Sequence, residues 1–482
     1  MYDVVINDAA SPVVTVGLML VKGDGNAVME QSVDAEVLPP RILTGGEFTN
    51  AQFPPSIRVT LKQDDWRSGL GGQLYSKSPF GYNTATGIDA SVDKVIKLPP
   101  DLQATTYDTT NTGGNGPGGY IESGVARLWH FANIVSGGNE ILPYLWDFTN
   151  LQWVAQAAIN LNNSGWCGEG VVYNGNAYVP TTSPTTESNT YAYIFQAVGA
   201  AGWTVSTLAV NDFMFFAVAD GRLWAARTTA AINAIYSSQD GTNATGSWAG
   251  PTSVGSSSYG INAIVPWGAN QDILLIIKEE GIYTLDTPGN VLLLYDLSSQ
   301  RNRYNGRGAK NWNGRVLVPM GAGGMLEVLP DGSIRDISFR LVAPDVTKLD
   351  GRVVSLAATT SAVYCVVEEG TTGYLLMAEW RDIEGAYEYR WHLLQTFTIT
   401  GGRDYIYRQL LFPYSITSVS PDAEYRRLWL SRYGVITNRP QFLPLDPIDR
   451  DFAYEDATTL TLDTVDWDAN LPQVTKLFVD VM

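Results

Sequence analysis

The sequence predicts an all-β fold, a six- or seven-bladed β-propeller with N- and C-terminal β-strand extensions. Three observations lead there. No long apolar stripe of helical period is present, and few stretches of ten residues lack a Gly, Pro, Asn or Asp breaker. Short β-branched and aromatic runs bounded by turn residues recur instead, among them VVYNGNAYVP, FMFFAVADGRLWAAR, DILLIIKEEGIYTLD and YRRLWLSRYGV. These runs also repeat at a nearly constant interval. With Tyr178, Trp224, Leu275, Leu317, Tyr364 and Trp429 as equivalent strand positions, the steps are 46, 51, 42, 47 and 65 residues, and Trp129 stands 49 residues before Tyr178. A period of about 40–50 residues is that of a four-stranded propeller blade. One blade cannot bury both of its faces, so blades lean on one another around an axis. A β-sandwich array with the same spacing is the competing arrangement.

Residues 1–119 read as a β-rich N-terminal extension and linker. Extended runs (VVTVGLMLV, SIRVTLKQ) lead to a Gly-Asn-Pro tract over 109–119. Between them lies DDWRSGLGGQLYSKSPFGYNTATGID, whose Gly69, Gly71 and Gly72 resemble a phosphate-binding loop only in composition. Such a loop needs a helix next, and Pro79, Gly81 and Asn83 preclude one. The glycines therefore predict a tight bend that turns Trp66 and Tyr75 onto a packed surface.

Residues 120–447 read as the propeller. Hairpins turn at Pro288-Gly289-Asn290 and Pro330-Asp331-Gly332. The long last step implies an insertion, or an irregular blade between Trp380 and Tyr414. Residues 448–482 begin with the acidic DRDFAYED and end with TLTLDTVDWD and QVTKLFVDVM, both alternating like half-buried strands. They predict a C-terminal extension that packs on the N-terminal region or on a neighbouring subunit.

Composition agrees and limits the chemistry. Hydrophobic residues reach 45% while charged ones stop at 17%, below the ~25% of ordinary soluble domains. The formal net charge of −18 repels phosphate backbones, so nucleic acid is expected only as DNA in passage. Cys167 and Cys365 are too far apart in sequence for a disulfide framework or a zinc motif. With His130 and His392 as the only imidazoles, no metal centre or other cofactor is expected. The start MYDVV lacks a basic secretion-signal region, and the apolar run from Val13 to Val21 is too short for a membrane span.

No catalytic constellation stands out. Glu169, Asp212, Asp220, Glu279 and Glu280 are available acids, but nothing pairs them as a glycosidase requires. GWCGEG lacks the nucleophile elbow, which makes Cys167 a core thiol. YSSQDGTNATGSWAG, with Asp240, Gly241 and Trp248, reads as a structural turn. Loop residues Asp108, Asn111, Asp240 and Asn243 are of the type that hold calcium, without any calcium-loop spacing. One charge feature is local. Arg301, Arg303, Arg307, Lys310 and Arg315 fall in QRNRYNGRGAKNWNGR, with no acid between Asp296 and Glu327. They form either a solvated turn paired with acids of adjacent blades or an interface patch for an acidic neighbour.

Trp66, the turn at Gly69, Gly71 and Gly72, Tyr75, Tyr82, Gly87-Ile88-Asp89 and Leu98-Pro99 together resemble the N-terminal region of tail proteins of tailed bacteriophages that carry a β-propeller. The likeness extends through DGRLWAA, EEGIYTLD and NGRVLVP to VDWDANLPQVTKLF. It implies a structural protein of the virion tail (tip, nozzle or adsorption apparatus) that forms a ring with copies of itself and contacts other tail proteins. The expected role is therefore non-enzymatic. A propeller that binds or cleaves surface polysaccharide, including a host surface glycan, is the alternative.

Overall fold

The computed structural model describes most of residues 98–398, together with 31–37, 57–63, 69–70, 81–86, 89, 91, 410–411, 427–430, 440–445, 461–464 and 477–481. Among these residues nearly all of the regular structure is strand, relieved by one 3-10 turn at Ser298–Gln300. Seven sheets follow one another along the chain, each ordered as the chain runs except for a short upstream strand added at the outer edge of blades 7 and 1. Blade 1 is built on Gly118–Glu122, Arg127–Ile134, Glu140–Asp147 and Gln152–Ala155. Blade 2 runs from Trp166–Cys167 to Thr204–Val205, blade 3 from Phe213–Ala219 to Trp248–Ser253, and blade 4 from Ile261–Trp267 to Asn290–Asp296. Blade 5 spans Lys310–Trp312 to Ile334–Asp336, and blade 6 spans Arg352–Ala358 to Ala386–Thr398.

The spacing that predicted the repeat marks one structural position. Trp129, Tyr178, Trp224, Leu275, Leu317, Tyr364 and Trp429 all lie on the second strand of their blades. That strand has a neighbour on both edges and is buried on both faces, which is why it reads as an apolar run. The turns into it are sequence-coded as well. Asn174-Gly175, Asp220-Gly221 and Asn313-Gly314 each have positive φ at both residues, as a type I′ hairpin turn demands.

Seven blades make a closed ring. Each adjacent pair shares an apolar cluster, and the seventh cluster joins blade 7 to blade 1 through Trp429 and Phe442 against Trp146 and Trp153. A sandwich array has no such return. Among the described residues the 65-residue step holds no further blade. Instead, blade 6 carries a long hairpin of Thr372–Ile383 and Ala386–Thr398.

The ring begins earlier than the expected boundary at residue 120. Blade 7 consists of Leu410–Leu411, Arg427–Leu430, Gln441–Pro444 and, as its outermost strand, Gln103–Ala104 from far upstream. Thr106–Tyr107 then pairs with Gln152–Ala155 of blade 1. Two strands of two residues carry no apolar run, so nothing in the local pattern announces them.

Outside the ring, strands from the two ends of the chain combine. Leu477–Val481 and Ile57–Gln63 flank Gln31–Val37 in one antiparallel sheet. Thr461–Thr464 pairs with Gly81–Thr86, which pairs in turn with Gly69–Leu70. Gly69 thus lies in a strand, and Gly71 and Gly72 lie outside the described residues. Gly69 has φ +71°, and a Cβ there would collide with the Trp391 carbonyl on blade 6. Trp66 and Tyr75 lie outside the described residues.

Candidate functional site

In each blade the first strand is innermost, so the axis is lined by first strands. An axial cavity of about 480 Å³ opens between those of blades 2 to 6. Its walls are mostly apolar, for example Val171, Phe216, Val265 and Leu356, with Glu169, Gln271, Arg307, Lys310 and Asn311 as polar members. Glu169 is the one carboxylate on this lining, and Lys310 is ion-paired to it. Asn311 donates from Nδ2 to the Pro266 carbonyl at 2.7 Å, tying blade 5 to blade 4.

The five basic residues singled out in the sequence reach three settings. Arg301 and Arg303 are exposed on the crossover from blade 4 to blade 5. Arg301 lies over the Tyr259 ring at 4.7 Å and donates to its hydroxyl. Tyr304 gathers Arg303, Arg307 and Arg352 at 4.6, 4.8 and 4.0 Å from its ring centroid. Arg307 and Lys310 also line the cavity. Arg315 stands apart, bonded to Glu327 at 3.2 Å and stacked on Trp380 at 4.2 Å. Glu327 is wholly buried and also takes Arg335 and the Tyr389 hydroxyl, so this arm is structural. Burial, followed by the bond to Glu327, raises the Tyr389 pKa.

Sequence inspection missed Tyr259, Tyr304 and Arg352. Tyr304 sits inside the RNRYNGR run and was legible there; Tyr259 and Arg352 come from the loop before blade 4 and the first strand of blade 6, beyond any local pattern. The backbone of this crossover is fixed at Gly306, with φ +80°, where a Cβ would meet the Ile277 side chain.

The candidate acids do not face one another. Asp220 occupies the turn between the first and second strands of blade 3, 3.9 Å from Arg222. Glu279 and Glu280 occupy the turn between the second and third strands of blade 4, on the opposite face of the ring. Glu280 Oε1 accepts from Lys278 Nζ at 2.9 Å, Ser256 N at 3.1 Å and Tyr283 Oη at 3.2 Å, anchoring the incoming crossover. Burial lowers the pKa of Lys278, and its ammonium also donates to the carbonyls of Val254 and Ser256. Asp212 lies outside the described residues, as do Asp108, Asn111 and Asn243.

Asp240 is a turn residue, accepting from the Thr242 amide at 3.0 Å. That bond leads the contributions holding its pKa below the ordinary carboxylate value. The same turn hydrogen bond recurs: Asp147, Asp296, Asp331 and Asp336 accept the amide two residues on, from Thr149, Ser298, Ser333 and Ser338 at 2.8–2.9 Å. Cys167 and Cys365 are buried free thiols whose pKa burial raises. His130 and His392 are buried too. Among the described residues no group of three or more His, Cys, Asp or Glu is placed to hold a metal ion, and no helix is long and apolar enough to cross a membrane.

No protein-family model matches the chain, and no curated protein matches its sequence. Solved structures similar to it include virginiamycin B lyase from Staphylococcus aureus, at TM-score 0.47 and 10% identity over 72% of this chain and 100% of that one. Raptor of Chaetomium thermophilum gives 0.45 and 10% over 72% and 29% of the two chains. YCF48 bound to D1 peptide gives 0.44 and 13% over 73% and 96%. What the chain is by its own sheet order is an all-β, seven-bladed propeller.

Proposed function

We propose that this chain is a non-enzymatic structural subunit of a tailed-phage virion, placed at the tail tip, nozzle or adsorption apparatus and working through contacts with its own copies and with other tail proteins. The observation that carries it is the pair of small sheets woven from both chain ends outside a ring that is already closed. A propeller needs neither sheet for its own closure. Each sheet, however, offers edge strands whose unpaired backbone groups add to a partner's sheet. The likeness of the Trp66–Pro99 region to propeller-bearing tail proteins supports the same role. The ring supplies a rigid disc, and the terminal sheets supply register between subunits.

The test is assembly. The full chain should form ring-shaped oligomers, seen by sedimentation and in electron micrographs. Deleting 448–482 removes Thr461–Thr464 and Leu477–Val481 but leaves every blade strand, and should give a folded monomer. A wild-type chain that stays monomeric at all concentrations, or a deletion that still builds rings, overturns the assignment.

A further inference from the structure

We infer that the outer edge of blade 4, strand Asn290–Asp296, is where a second copy of this chain docks, by pairing with that copy's Thr461–Thr464 edge. This rests on the ring assembly proposed above and names the surface that builds it.

Outermost strands invite unwanted pairing, and folded proteins blunt them with shortness, proline, charge or a cover. Six blades comply. The outer strands of blades 2, 5 and 7 have two, three and two residues. Blade 3 ends in WAGPTS, with Pro251 in the edge. Thr106–Tyr107 pairs along blade 1, and Gly69 packs on Trp391 of blade 6. Blade 4 does none of this. Its outer strand, NVLLLYD, is seven residues long, has no proline and carries its one charge at the last position. Among the described residues every exposed large hydrophobic side chain lies on it: Leu292 at 54%, Leu293 at 55% and Tyr295 at 38%. A long apolar edge, interrupted by a single bulge opposite Ile282-Tyr283, is a template for another strand.

Charge selects the partner strand. The docking strand runs through Ser298–Gln300 directly into Arg301 and Arg303, both exposed. Tyrosine and arginine beside an apolar patch make up the composition of interface hot spots. Apart from the two-residue Gly69–Leu70, which packs on blade 6, three strands end the terminal sheets with one edge unpaired among the described residues. Ile57–Gln63 carries Arg58 and Lys62, which the arginine loop repels. Leu477–Val481 carries Asp480 but follows Lys476. Thr461–Thr464 carries Asp463, is followed by Asp466 and Asp468, and meets no base before Lys476. It is the acidic edge that suits Arg301 and Arg303. The contact joins two different surfaces, so repeated copies close into a ring or extend as a filament.

The experiment measures self-association of the full chain by sedimentation equilibrium. Leu292→Lys with Leu293→Lys should keep the wild-type melting temperature, because both side chains are half exposed, and should weaken association about tenfold or more. Arg301→Asp with Arg303→Asp should weaken it as well, and adding Asp463→Arg with Asp466→Arg should restore it. Wild-type association that survives the leucine variant, or charge reversals that do not compensate, overturns this contact while leaving the ring itself standing. A wild-type chain that never associates overturns both.

Discussion

The seam between blades 4 and 5 and the seam between blades 7 and 1 do the same job with different materials. The first is mainly aliphatic, with Val265, Leu275, Ile277, Val316, Val318 and Leu326 interdigitating around Trp267, its single aromatic ring. The second is mainly aromatic: Tyr144, Trp146, Trp153, Trp429 and Phe442 join two buried leucines, with Leu151 and Ala155 at the margin. Trp429 packs edge-on against Trp146 at 4.9 Å and Trp153 at 5.5 Å. Backbone supply explains the contrast. Blades 4 and 5 are continuous in sequence, whereas blade 7 borrows its outer strand from residues 103–104 and has only two residues in its first strand. Where ladder hydrogen bonds are few, large rings supply the buried area. A closing seam can therefore rest on a few side chains, while an internal seam spreads its stability over many.

The sharpest way to break the comparison is Trp429→Ala. The residue is buried and meets three other rings, so the expected loss is about 3–5 kcal/mol. Chemical denaturation should show it, and residues 98–107 should gain protease sensitivity before the rest of the ring. A loss below about 1 kcal/mol would mean that closure does not depend on the aromatic seam.

The aromatic seam also has a titrating group packed against its rings. His130 lies 5.5 Å from the Trp153 ring and 6.2 Å from that of Tyr144. Burial pushes its pKa down from 6.5 to about 3. The unfolded chain takes up this proton below about pH 6.5, the folded chain only near pH 3. Stability is thus full above pH 6.5 and falls with acidification at about 1.4 kcal/mol per pH unit between those limits. By pH 4.5 that amounts to about 2–3 kcal/mol. Denaturation midpoints measured from pH 7 to 4.5 should slope accordingly, and His130→Leu should flatten the slope. Asp147, Asp240, Asp296 and Asp331, with depressed pKa values, add their own loss only below the ordinary carboxylate range.

How much was legible in the sequence follows from the same distinction. Second strands, buried on both faces and entered through Asn-Gly or Asp-Gly turns, announce themselves, and seven of them gave the spacing. The clasp did not. Its work is done by single polar atoms: the Pro100 carbonyl accepts from Gln395 Nε2 at 2.7 Å, and Thr105 takes Trp153 Nε1 at 3.1 Å while donating to the Pro440 carbonyl. None of these leaves a periodic trace, so a linker and a clasp look alike in one sequence. The arginine run was visible as charge, but its division among Tyr259, Tyr304 and Glu327 depends on residues brought in by other blades. The exposed edge of blade 4 had a signal, an unbroken VLLLY where an outermost strand should alternate.

Thr105→Val tests the clasp at the scale of one side chain. It leaves the buried indole N–H of Trp153 and the Pro440 carbonyl without that hydroxyl, at nearly constant volume. The expected loss is about 2 kcal/mol. It should not add fully to Trp429→Ala, since both act on one seam. Full additivity in a double-mutant cycle would separate the clasp from the aromatic cluster.

Ile277→Val is the matching probe of the aliphatic seam, with the smallest expected effect. Ile277 is fully buried, and its Cβ and Cγ2 fill the space that Gly306 leaves by having no Cβ. Valine keeps both atoms and removes only Cδ1, so the crossover carrying Arg301 and Arg303 stays in place. The loss should be about 1 kcal/mol, with self-association unchanged. A loss near 3 kcal/mol would place a keystone in the middle of the ring as well as at its closure, and the contrast between the two seams would no longer hold.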